Sequence, residues 1–148
     1  MRSGTALLTL IAAATDPLVG QTIEGVWKPV QVVIDSGADA GRHTTDVQPG
    51  LLIFTKRHYS MMFVQGFKPR AVPSDSASDE ELGLSFLSFT ANAGTYQRSD
   101  STITFSPSVA KHPAVMAGNS LTRQMRLKGD TLWFTGRGQR ATWVRIER

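Results

Sequence analysis

Arg123 stands in the run Ser120-Leu121-Thr122-Arg123-Gln124-Met125-Arg126-Leu127, where strand alternation places it on one face with Leu121, Met125 and Leu127. Because the other three are apolar, that face turns toward a core or a cavity. A guanidinium there keeps its proton, and an unpaired buried charge costs several kcal/mol, so it needs a partner rich in acceptors. Its chemistry would be to fix a carboxylate, enolate or carbonyl oxygen of a bound molecule. The structural alternative is a guanidinium stacked over a tryptophan and bonded to backbone carbonyls, a contact of about 0.5–2 kcal/mol. Tyr96 and Tyr59 also lie in strand-like runs, with hydroxyls able to donate to a ligand oxygen or to act as weak acids. Buried strand tyrosines often bond only backbone, which is the competing expectation for both. Arg123, Tyr96 and Tyr59 are the candidate catalytic residues.

Other chemistries lack their parts. The chain has no cysteine, which removes disulfides, cysteine zinc sites and a thiol nucleophile. Its three histidines, His43, His58 and His112, show no ligand spacing, so no metal site is expected. No Gly-rich phosphate loop, Ser-His-Asp order or paired-carboxylate spacing is present, and no cofactor is expected. An acid–base catalyst would have to come from His43, His112, Asp46, Glu80, Glu81 or the tyrosines.

The net charge is +4, the pI is near 9.9, and basic residues gather in the last quarter of the chain: Arg123, Arg126, Lys128, Arg137, Arg140, Arg145 and Arg148. They are spread singly over alternating positions and turns with few aromatics beside them. That is the look of a solvated sheet surface, and no nucleic-acid partner is expected. Phe54, Met61, Phe63, Phe86 and Met125 are, with Arg123, the candidate ligand-binding residues. Phe and Met side chains adapt to irregular apolar ligands, and they equally fill an ordinary core.

The elements that must position these residues are almost all strands. A β-branched run, Val26 to Ile34, follows Gly25 and contains Trp27; polar turn residues then lead to Pro49-Gly50. Leu51 to Thr55 and Tyr59 to Val64 read as a hairpin, apolar on both faces. Ser78-Asp79-Glu80-Glu81 is a capping box that predicts a helix start, with Leu82, Phe86 and Phe89 on one face. That helix would pack on the outside of the sheet or lie as a lid across a barrel mouth. Residues 94–98 and 102–106 form another hairpin, an irregular loop runs from Pro107 to Asn119, and strands follow at 120–127, 131–135 and 141–146. The total is eight antiparallel strands with one short helix between the third and fourth, an all-β chain able to close a barrel around one small ligand. Its 148 residues make one domain, placed at 23–148.

Residues 1–22 form a leader with two readings. Arg2, about ten mostly apolar residues and Ala12-Ala13-Ala14 have the parts of a secretory signal, and the same stretch suits a retained segment capping the barrel. Location is therefore left open between export and cytoplasm. The apolar run falls short of the about 20 residues that span a bilayer, so no membrane span is expected.

In this order, the motifs resemble the lipocalin-like domain proteins of bacteria and fungi, a calycin-type group of small barrels. Gly25-Val26-Trp27 looks like their opening Gly-x-Trp, and Gly50-Leu51-Leu52-Ile53-Phe54-Thr55 with Tyr59-Ser60-Met61 is similar to their second hairpin. Gly94-Thr95-Tyr96 and the Arg123 to Gly129-Asp130-x-Leu132 spacing add to the likeness. Departures are His58 at the usual turn glycine, Pro29 within the first strand, and no tyrosine before the fourth. The resemblance implies an eight-stranded lipocalin-like barrel around an apolar cavity, with an arginine near the last strand stacked under the barrel; Arg145 or Arg148 suits that place and leaves Arg123 free. The function it implies is binding of a hydrophobic or amphipathic small molecule by a monomer or homodimer. The alternative is a cofactor-free cyclase or isomerase of secondary metabolism acting in the same cavity, with Arg123 polarising a carbonyl and a tyrosine or histidine moving a proton.

Overall fold

A computed structural model describes residues 21–70 and 72–148, so the leader, apart from Gln21 and Thr22, lies outside the described residues. The strands are β1 Gly25–Ile34, β2 His43–Thr44, β3 Gly50–Phe54, β4 His58–Val64, β5 Phe89–Arg98, β6 Thr102–Ala110, β7 Leu121–Lys128, β8 Thr131–Gly136 and β9 Gln139–Glu147. Two helices interrupt them, α1 Asp79–Leu87 and α2 Pro113–Met116. Every strand pairing is antiparallel, and β1 pairs with β9, so β1 and β3 to β9 close into an eight-stranded barrel. The ninth strand, β2, stays outside the ring and pairs only with the far half of β1, through Val32↔Thr44 and Val33↔His43.

That extra strand corrects the expected order. The helix follows the fourth strand rather than the third, because His43–Thr44 pairs within the loop after β1. Two residues are too few to show an alternating pattern. Phe89, expected on the helix face, opens β5 instead, and β5 begins five residues before the predicted Gly94. The loop after β6 contains the single turn α2, where Pro113 takes the first helical position and His112 Nδ1 accepts from the Ala114 amide at 3.3 Å.

Local chemistry explains the strand geometry. Pro29 sits in β1 at an irregularity, the register with β9 shifting between Pro29 and Gln31, and bulges of this kind are where a strand tolerates a residue without an amide donor. Gly25 has φ +125°, and a Cβ there would collide with the Glu147 carbonyl oxygen, so the first residue of Gly-x-Trp is set by the close approach of β9.

The core is concentrated at one end of the barrel. Trp27, Leu52, Phe54, Ile103, Leu132 and Met125 are buried there beneath Tyr59, Phe105 and Trp143. Residues 21–24 pass under this end and plug it with buried Ile23, whose carbonyl accepts from Trp27 Nε1 at 2.9 Å. Arg98 Nη1 holds the Gln21 carbonyl at 2.7 Å, and the Gly129 amide donates to Gln21 Oε1 at 3.1 Å. Arg145 completes the floor. Its side chain is 5% exposed, its guanidinium lies 4.2 Å over the Trp27 ring, and it donates to Asp130 Oδ1 at 2.9 Å. It also donates to the carbonyls of Thr22 and Glu24. Arg148, the other arginine suited to this place, stays exposed and bonds Asp130.

The Ser78–Glu81 capping box forms at α1 in both directions, yet the helix buries none of its residues. Leu82, Leu84, Phe86 and Leu87 face largely outward, and Leu87 alone of these borders the cavity mouth. Among the described residues, no helix is long and apolar enough to cross a membrane.

Candidate functional site at the open end of the barrel

Above the packed floor the described residues leave a cavity inside the barrel. The cavity holds about 930 Å³ and opens between β1, the end of α1, and α2. Its deep wall is apolar and aromatic: Met61 and Phe63 from β4, Phe105 from β6, Phe134 from β8, and Ala141 and Trp143 from β9. Alternation along each strand turns these side chains inward. Loop residues Val47, Phe67 and Val115 carry the apolar lining up to the mouth.

The charged residues at this lining are Lys111, Arg123 and Arg137; among the described residues, no aspartate or glutamate borders the cavity. Lys111 is engaged structurally. Its Nζ donates to the carbonyls of Phe86 and Phe89 and sits 4.0 Å from the Phe86 ring centre, tying the end of α1 to the end of β6. Arg123 points inward with Leu121, and its half-buried side chain lies across the bare Cα of Gly136. A Cβ at Gly136 would stand 3.0 Å from Arg123 Cδ and 3.2 Å from Nη1. Among the described residues, Arg123 has no hydrogen-bond acceptor and no ion-pair partner. Burial, and then the nearby positive charge of Arg137, push its pKa below the ordinary arginine value.

The other candidates divide by depth. Tyr59 reaches the base of the cavity, where it is 2% exposed and donates to Asn92 Oδ1 at 2.7 Å; burial pushes its pKa up to about 12. Tyr96 lies at the floor. Its hydroxyl donates to the Thr55 carbonyl at 2.8 Å, its ring packs edge-on to Phe54 at 4.9 Å, and it borders a separate shallow cleft with Ile23 and Lys56. Burial, then Glu24, raise its pKa against the opposing effect of Arg98. Phe54 and Met125 belong to the packed floor, and Phe86 sits on α1 beneath Lys111, outside the lining. Arg123, Tyr59, Met61 and Phe63 are therefore brought together, and Tyr96, Phe54, Met125 and Phe86 are not.

Asn92, Arg137 and Trp143 are among the lining residues that the sequence pattern does not single out. Asn92 was hidden because β5 starts earlier than its pattern suggests. Arg137 falls in the Gly136-Arg137-Gly138 turn, whose signal was the turn itself rather than its charge. Trp143 follows the inward alternation of β9, and its Nε1 is buried with no hydrogen-bond partner among the described residues. Among the described residues, no three His, Cys, Asp or Glu side chains cluster as a metal site would require.

No family model matches the chain, and no curated protein matches it. Among solved structures it is similar to an uncharacterized protein from Bacteroides eggerthii, with a TM-score of 0.48 and 11% identity over 83% of this chain and 98% of that one.

Proposed function

We propose that this protein binds a hydrophobic or amphipathic small molecule inside a lipocalin-like barrel. The observation that carries the reading is the cavity itself: about 930 Å³, closed below by a packed floor and open above, within the 300–1,000 Å³ range of ligand pockets. Apolar walls with a few polar groups are the usual composition of such sites.

A cofactor-free isomerase or cyclase is the second reading, favoured by His112 lining the same cavity as Arg123. Binding is preferred on three grounds. The Tyr59 hydroxyl is occupied by Asn92 and is too weak an acid near pH 7, Tyr96 lies at the other end, and no carboxylate among the described residues borders the cavity to serve as a base.

The test is titration with a neutral solvatochromic dye such as Nile red. Saturable binding at one site is expected, abolished by Ala141→Trp, which fills the deep wall, with the thermal transition retained. An absence of saturable binding would overturn the reading.

A further inference from the structure

We infer that the cavity recognises an amphipath with an anionic head, a carboxylate gripped by Arg123 with Arg137 beside it at the mouth. This inference rests on the cavity being a binding site and adds the charge of its occupant.

Three observations converge on it. Arg123 is half-buried on an apolar wall with no acceptor among the described residues, an arrangement that burial alone makes unfavourable. A second arginine, Arg137, borders the same cavity, near enough to raise the cost of the first charge; it is set there by the two-residue turn between paired Gly136 and Gln139, which gives Arg137 φ +53° and Gly138 φ +71°. At Gly136 the Arg123 side chain lies against bare backbone, and a Cβ there would press on its Cδ and Nη1.

Repulsion between the arginines and the unmet donors of Arg123 are both relieved by one anion. A planar carboxylate suits a guanidinium fork because two parallel N–H···O bonds form at once. Tyr59, Asn92 and the aromatic wall lie deeper, so the apolar body would point down and the head would stay at the rim. A cationic amphipath would meet Arg123 and Arg137 with no lining carboxylate among the described residues to receive it.

The experiment compares dodecanoate, 1-dodecanol and dodecylammonium as competitors of Nile red on the intact protein, at low and at high salt. Dodecanoate is expected to bind at least about tenfold more tightly than dodecanol, in keeping with hydrogen bonds to a charged group. Dodecylammonium is expected to bind more weakly than dodecanol. Arg123→Met should remove the preference for the acid, read as a ratio of dodecanoate to dodecanol affinity that falls to within twofold. Arg123→Lys should keep part of it, and Arg137→Gly, which also relieves the turn, should reduce it several-fold. The inference is overturned if acid and alcohol bind within twofold while Nile red still saturates, or if Arg123→Met weakens all three equally. If neither dye nor amphiphile binds, the binding reading falls first and takes this inference with it.

Discussion

Two arginines on neighbouring stretches of one barrel do opposite things, and the difference lies in what each touches. Arg145 has a tryptophan face, two backbone carbonyls and a carboxylate, so its burial is compensated. Arg145→Met is expected to lower stability by about 2–3 kcal/mol. Arg123 has no such partner among the described residues, and Arg123→Met is expected to leave stability within about 1 kcal/mol or to raise it. Denaturant melts of both variants check the pair; equal losses would mean that Arg123 is structural. Tyr59 supplies a pH prediction. Its folded pKa is raised to about 12 against about 10 in an unfolded chain, so the folded state binds the extra proton between those values. Its contribution is complete below pH 10 and is lost as pH rises toward 12. Tyr59→Phe should cost about 0.5–1.5 kcal/mol at pH 7 through the lost Asn92 bond. Its stability should then fall less steeply than that of the parent above pH 10, as read from melts across the alkaline range.

Among the elements, α1 combines a complete capping box with no buried side chain, so local bonding rather than packing keeps it helical. Ser78→Ala removes about 1 kcal/mol from the helix, and faster amide exchange is expected over residues 79–87 with the global melting transition unmoved. Loss of protection in the barrel strands as well would show that α1 is coupled to the ring. This element also marks how far sequence alone reaches. Its start was legible because Ser78 and Glu81 bond each other locally, whereas its end was not, since Phe89 fits a helical stripe and a strand equally well. The same division runs through the strands. Alternation revealed that Leu121, Arg123 and Met125 share the inner face, but a period of two residues carries no information on depth. Hence Phe54 and Met125, inward-facing as expected, belong to the filled floor, while Met61 and Phe63 belong to the empty half. The β2 pairing and the α2 turn are each too short to carry a periodic signal.

At the scale of the whole molecule, a packed half and, among the described residues, a hollow half share one ring, and on the proposed binding reading the hollow half is where an occupant would add stability. Ligand binding to the folded state alone stabilises it by about 2.7 kcal/mol at a hundredfold excess over Kd, so saturating dodecanoate should raise Tm by several degrees in the parent and far less in Arg123→Met. Differential scanning calorimetry reads both. The ring is closed by β1 against β9, and 121 positions separate Glu24 from the Arg145 that grips its carbonyl. Until β9 is added, β1, although already paired with β2 and β3 along parts of its length, lacks its longest partner, and β8 stays unpaired on one side. Without Gln139–Glu147 in place, the free edges of β1 and β8 are two ready-made templates for foreign strands, which makes the form lacking β9 the one most exposed to aggregation and to chaperone capture.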